Sequence, residues 1–250
     1  LLAGLGMGGA ALSLWTVRGG AETVTATAAD GSVCVGLPTE TAGPFPADGT
    51  NVRAGQTVNI LTEAGVVRED IRPSIGGLEP VAEGVPVTLE IGLVDVKRAC
   101  APLAGMAVYV WQCDAEGVYS IYGASDRNYL RGVGISDDQG RVRFTTVFPA
   151  CYPGRWPHIH FEVFATAEAA VSGDAALLTS QFALPEDACR AVYSSDPLYA
   201  ASIATLDGVS LSRDGIFRDS SAPELAAQTL AMQGDPAAGY RATARVGIGV

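Results

Sequence analysis

Hydrophobic and polar positions alternate in several stretches of the chain. Val85-Pro-Val-Thr-Leu-Glu-Ile-Gly-Leu-Val-Asp95 places apolar side chains at every second position, and Arg141-Val-Arg-Phe-Thr-Thr-Val-Phe148 does so cleanly. A period of two belongs to a strand with one buried face. Gly105–Gln112 reads as another strand, His158–Phe164 as a further one and Gln181–Leu184 as one more. Asp137-Asp-Gln-Gly140 is a turn leading into the Arg141 strand. Tyr240–Val250 alternates again and is expected to close the sheet, while Pro223–Met232 predicts a short helix. Cys34–Asp48, rich in Pro and Gly, is expected to be an extended loop, and the small polar stretch Ala21–Ser32 a linker. No 20–50-residue repeat, sustained heptad or glycine-rich phosphate loop interrupts this pattern. The sum predicts an all-β chain: a β-sandwich core with long loops and few short helices.

The 250 residues are enough for one such domain, and 30 glycines with 14 prolines supply its turns. Hydrophobic residues at 48% against charged residues at 17% exclude a disordered chain. A formal net charge of -11 argues against a nucleic-acid partner, which would require a basic face. Leu1–Trp15 carries no charge, is too short for a standard transmembrane helix, and looks like the apolar core of an export signal. Small residues from Gly19 to Ala29 offer a cleavage site; the other reading is a buried first helix. Residues 1–32 are thus expected to be leader and linker, and 33–250 the β-sandwich domain. After processing, no membrane attachment is expected. The cysteines are 34, 100, 113, 151 and 189. In an exported protein one or two bridges are expected, and the odd number leaves a thiol over. Cys100 and Cys189, away from the chemistry-bearing motif, are candidates for a bridge.

That motif is Pro149-Ala-Cys-Tyr-Pro-Gly-Arg-Trp-Pro-His-Ile-His-Phe161, which holds the only two histidines of the chain, His158 and His160. On a strand, residues i and i+2 share a face, so the two imidazoles are half of a metal site. With no third histidine, the remaining ligands must be carboxylates, thiolates or phenolates. Tyr152 lies close before His158, and Tyr119 lies near the end of the segment Trp111–Ser120. A phenol ionises near pH ~10, so holding two as phenolates at neutral pH takes a strongly Lewis-acidic ion. Ferric iron meets that demand, since hard anionic oxygen suits hard cations. Tyr122 and Tyr129 are rivals for the place of Tyr119. Cys113 and Cys151 are the less favoured metal ligands, because thiolates select softer ions. Trp111 and Trp156 read as packing residues and Asp137 and Asp138 as turn residues.

The spacing Trp111-Gln-x-x-x-x-Gly-x-Tyr119-Ser, the Arg131-Gly132 pair and Pro149-x-x-Tyr152-x-x-Arg155-x-Pro157-His158-Ile-His160-Phe resembles the intradiol ring-cleavage dioxygenases. Glu40-Thr-Ala-Gly43-Pro44-Phe45, Val67-Arg-Glu-Asp-Ile71 and Cys100–Gly105 extend the resemblance, which runs from about Cys34 to at least Gln181. It implies a β-sandwich holding non-haem Fe(III) on Tyr119, Tyr152, His158 and His160. It implies that Tyr119 stays bound, whereas Tyr152 leaves on substrate binding and serves as a base. Arg155 is implied to act on the bound substrate, Gln181 to support the site from behind, and Pro44 and Phe45 to line the substrate pocket. The reaction implied is cleavage of a catechol-type ring between its two hydroxyl-bearing carbons by O2, giving a cis,cis-muconate-type product. The compact form resembles secreted single-domain relatives more than the best-known members, so extracellular action on a small aromatic diol is the expectation and cytoplasmic action the alternative. Two other functions compete: a β-sandwich binding module without turnover, and a zinc or copper protein using the same pocket.

Overall fold

The computed structural model describes residues 23–172 and 175–250. The leader expected over Leu1–Trp15 lies outside these residues. Strands β1 (Thr25–Thr27) and β2 (Val33–Val35) pair as one antiparallel ribbon, and β3 (Asp48–Arg53) and β4 (Gln56–Asn59) as another. The body continues with β5 (Pro86–Asp95), β6 (Ala101–Pro102), β7 (Ala107–Trp111), β8 (Arg131–Ile135), β9 (Arg141–Val147) and β10 (His158–Phe164). Then come α1 (Ala167–Ser172), β11 (Leu178–Ala183), α2 (Glu186–Ser195), α3 (Ala200–Asp207), α4 (Ala222–Gln228), β12 (Ala231–Asp235) and β13 (Gly239–Ile248).

Two sheets make the core. One is antiparallel, in the order β11-β10-β7-β8; the other runs β12-β13-β5, with β9 and β6 both on the far edge of β5. β13 lies parallel to β5 over nine residue pairs, so the last alternating segment does complete a sheet. The alternation in β5 is realised as buried Val87, Leu89, Ile91 and Leu93. Val142 and Phe144 of β9 join them. Each such side chain contributes roughly 1.5–3 kcal/mol when taken out of water. A Cβ on Gly134 of β8 would run into Val142 and Phe144, so glycine there lets β8 lie close against β9.

β10, like its neighbour β7, is buried at every position. Ile159, Phe161 and Val163 belong to the core. The pleat sends His158, His160 and Glu162 to the opposite face. Loops cover that face: Tyr109 Oη donates to Pro46 O, and Gln181 Nε2 donates to Thr41 O.

Several expectations need correction. Part of the segment expected to be linker is structured: β1 pairs with β2, and Gly36 N donates to Val24 O. Cys34, expected in an extended loop, lies in β2 and is bonded to Cys100. The candidate pair Cys100–Cys189 does not form. Cys189 sits on α2 beside Val192 and Tyr193, fully buried against the core and with a free thiol. The helix expected over Pro223–Met232 is α4, which stops at Gln228 and gives way to β12. Among the described residues no helix is long and apolar enough to cross a membrane.

Candidate metal centre

The register of β10 sets out a cross-strand row. Gln181 lies opposite His160, His160 opposite Trp111, and Trp111 opposite Arg131. Directly opposed residues share a face of the sheet. The His160 and Trp111 rings are stacked at 4.8 Å and 9°, and Tyr109 stacks on Trp111 at 4.9 Å. Trp111 is therefore packing, as expected, but packing that flattens one imidazole into a fixed plane.

Two loops bring the phenols to this face. Beyond β7, the Asp114 carboxylate accepts from Glu116 N at 3.0 Å and Val118 N at 2.9 Å. Gly117 closes that turn at φ 83°, a conformation that favours glycine. Tyr119 emerges from it. In the second loop Pro153 is followed by Gly154 at φ 85°, and Arg155 N reaches Tyr152 O at 3.4 Å. Pro-Gly with the glycine at positive φ is the pattern of a type II turn, and it folds Tyr152 back beside Arg155 and His158.

Four donor atoms meet there. Tyr152 Oη lies 3.0 Å from His158 Nε2, and His158 Nε2 lies 3.1 Å from His160 Nε2. Tyr119 Oη lies 3.1 Å from His160 Nε2, 3.3 Å from His158 Nε2 and 3.5 Å from Tyr152 Oη. Separations of 3.0–3.5 Å are those of ligand atoms that share one ion at the roughly 2 Å of a metal–nitrogen or metal–oxygen bond. His158 Nδ1 is 2.6 Å from the Trp156 carbonyl, which can only accept, so Nδ1 carries the proton and Nε2 offers its lone pair.

The electrostatics agree with a cation. Burial, then the Arg155 charge, pushes His158 down to about 3; burial, then His158 and Arg155, holds His160 well below its ordinary value. Both imidazoles are neutral. Burial drives the Tyr119 phenol well above its ordinary range and Tyr152 up to about 12. Phenols in that state ionise only beside a strong positive charge. Two phenol oxygens and two neutral nitrogens fit a hard trivalent ion.

Arg155 flanks the cluster. Its Nη1 is 3.4 Å from His158 Nε2, its Nη2 donates to Gln181 Oε1 at 2.6 Å, and its Nε donates to Asp214 at 3.0 Å. Gln181, fully buried, thus ties Arg155 to the Thr41 loop. The Phe45 ring lies 4.9 Å from Tyr119, on the wall of the site. Pro44 is exposed and only its carbonyl is engaged, by Asn51 Nδ2.

The rivals are otherwise occupied. Tyr122 Oη donates to Asn51 Oδ1 and accepts from Ala47 N, and Tyr129 Oη donates to Asp114 Oδ2. The Cys113 and Cys151 thiols face the carbonyls of Ala150 and Arg155, and burial raises both, Cys151 to about 12. Sequence reading missed three participants. Asp214 and the Trp156 carbonyl gave no signal. Arg131, noted only as part of a motif, is fully buried and binds Ser120 Oγ, Ser120 O, Pro46 O and Tyr109 Oη. It clamps the Tyr119 loop to the Phe45 loop.

A family model described as "Dioxygenase" matches residues 77–194, a span that includes Tyr119, Tyr152, Arg155, His158, His160 and Gln181. The fold is shared with an intradiol ring-cleavage dioxygenase from Tetranychus urticae, at 23% identity and a TM-score of 0.64 over 86% of this chain and 95% of that one. The chain carries a dioxygenase family match over its centre and shares the fold of intradiol ring-cleavage dioxygenases. The dioxygenase domain of a dioxygenase carbohydrate-binding protein fusion from Streptomyces sp. SirexAA-E aligns at 21% identity and TM-score 0.52, over 86% and 99% of the two chains. Hydroxyquinol 1,2-dioxygenase from Pseudomonas putida DLL-E4 aligns at 18% identity and TM-score 0.51, over 86% and 67%. No curated protein matches the sequence. At these identities the structural likeness concerns the fold; the donor set is an observation on this chain alone.

Proposed function

We propose that the protein is a non-haem Fe(III) intradiol dioxygenase that opens catechol-type rings between the hydroxyl-bearing carbons, using O2 and giving cis,cis-muconate-type products. The convergence of Tyr119, Tyr152, His158 and His160 on one point carries this reading. These four residues would hold the iron. When bound, ferric iron would supply the Lewis acidity that keeps phenolates and a chelating catechol ionised, and the electron-accepting character that opens the ring to O2.

The side chains divide the remaining work. Tyr119 is 4% exposed and lies within hydrogen-bond distance of three of its neighbours in the cluster, so it is the fixed oxygen. Tyr152 is only half-buried and is the oxygen that can swing out. Its Oη then takes a proton from a substrate hydroxyl. Arg155 donates N–H groups toward negative charge developing on the ring oxygens, an interaction strengthened by the buried surroundings. Phe45 offers an apolar wall to the ring and Gln181 holds Arg155 in place. The Cys34–Cys100 bridge supports export to an oxidising compartment.

Colour and product test this together. The purified chain loaded with ferric iron should be red-brown, with a broad visible charge-transfer band that shifts when catechol is added without air. Admitting air should release a ring-opened dicarboxylic acid. A colourless protein carrying stoichiometric zinc, and inert to catechol, would falsify the proposal.

A further inference from the structure

Asp214 lies outside every motif read from the sequence and beyond the residues matched by the family model. It sits in the loop between Leu211–Arg213 and Phe217–Asp219, yet its side chain is wholly buried. Its two oxygens face different ways. Oδ1 accepts from Ile216 N at 2.8 Å and Phe217 N at 3.3 Å, within its own loop. Oδ2 accepts from Arg155 Nε at 3.0 Å and Trp156 N at 2.7 Å, across in the metal-centre loop. All four contacts come from N–H donors, so the site is built for a carboxylate. Burial alone would raise the Asp214 carboxyl, but the Trp156 and Ile216 N–H groups and Arg155 outweigh it and keep the group below its ordinary value.

The effect falls on Arg155. A guanidinium is planar, so two anchored nitrogens fix the direction of the third. Asp214 holds Nε and Gln181 holds Nη2, which leaves Nη1 facing His158 and the donor cluster. The same carboxylate holds the N–H of Trp156, whose carbonyl orients the His158 ring. Without Asp214, only Gln181 would hold the partly exposed guanidinium, which could then turn about that single contact.

We propose that Asp214 is a positioning residue of the ring-opening reaction, acting through Arg155 by fixing the plane of its guanidinium. The proposal rests on the function proposed above, and its test separates the two. Wild type, Arg155→Gln, Asp214→Asn and the double variant are compared, each as the full chain loaded with ferric iron. Asparagine keeps the shape but must turn an N–H toward one of the pairs of donors. Asp214→Asn should lower kcat/KM at least about 10-fold, as loss of a supporting group around a metal site does. In the Arg155→Gln background it should cost nothing more, because the residue it positions is gone. Equal factors in both backgrounds would mean a merely structural role, and an unchanged single variant would mean none; either overturns the proposal.

If Asp214→Asn fails to fold, Asp214→Glu takes its place in the same four-cornered comparison. It keeps the charge but displaces it by one methylene, and the same non-additivity is required of it. Should wild type take up no iron and open no catechol, the proposed function falls, and melting of the iron-free chains still decides whether Asp214 fixes the Arg155 guanidinium. Positioning requires that the Arg155 and Asp214 substitutions shift Tm non-additively; additive shifts reject it.

Discussion

Replacing each tyrosine of the cluster by phenylalanine tests the division of labour between them. The rings have room to stay, because Phe differs only by the oxygen. For the iron-free fold, each loses one cluster of polar contacts, worth about 1 kcal/mol. In a chain of this size that is a Tm change of roughly 2–4 °C, so both variants should fold. Their iron chemistry should differ. Tyr119 Oη stands within 3.1–3.5 Å of the other three donor atoms, and its side chain is closed off from solvent. Tyr119→Phe should lose most of its iron and its colour.

Tyr152 Oη has close partners only in His158 and Tyr119, and its side chain is half-buried. Tyr152→Phe should keep iron, with a weakened and shifted visible band. What it loses is the base, and removal of a general base costs about 100- to 10,000-fold in rate. Stopped-flow mixing with catechol in the absence of air reads the binding step, and oxygen uptake reads turnover. Steady-state kinetics unchanged in Tyr152→Phe, or iron lost equally from both variants, would refute the assignment of the fixed and the mobile phenol.

Three further outcomes follow from other parts of the molecule. Reducing the Cys34–Cys100 bridge, which closes a separation of 66 residues, should cost up to about 4 kcal/mol by loop entropy. Denaturant unfolding with and without reductant measures it, and kcat should be unchanged because the bridge belongs to a separate small cluster with Val94 and Val96. Arg131→Lys should destabilise the chain by about 2–4 kcal/mol, because one ammonium cannot replace a fork that binds Ser120, Pro46 and Tyr109 at once; iron content and Tm should fall together. Gly132→Ala should cost about 1–3 kcal/mol through overpacking, since its new Cβ would stand 2.5 Å from Ile71 Cγ2; thermal melting checks this.

The sheets were legible wherever one face was buried and the other not. β5 and β9 alternate because water lies on one side, whereas β10, buried on both faces, reads as a strand without that contrast. Helices α2 and α3 were missed, although Ala188, Cys189, Val192 and Tyr193 make a helical stripe along α2. Polar residues broke that stripe into pieces too short to stand out. Bridge partners could not be read at all, since pairing of Cys34 with Cys100 depends on β2 lying beside the end of β5, a contact between segments far apart in the chain.

The candidate site shows the same limit in sharper form. Its chemistry is local: Tyr152, Arg155, His158 and His160 fall within nine residues, and strand and turn rules suffice to aim them at one another. Its support is not local. Thr41 holds Gln181, Pro46 meets Arg131, and Asp214 anchors Arg155 from 59 residues away. A backbone carbonyl carries no residue signature, and an aspartate in a loop is by default a turn residue. What reveals Asp214 is burial combined with four N–H donors, which a sequence cannot display. Groups that perform chemistry are constrained in type and leave a pattern; groups that position them need only a charge or an acceptor at the right place, and any segment that reaches there can supply it. Variation among relatives in how this arginine is held is therefore expected first in the loop around Asp214, and only later in the residues it supports.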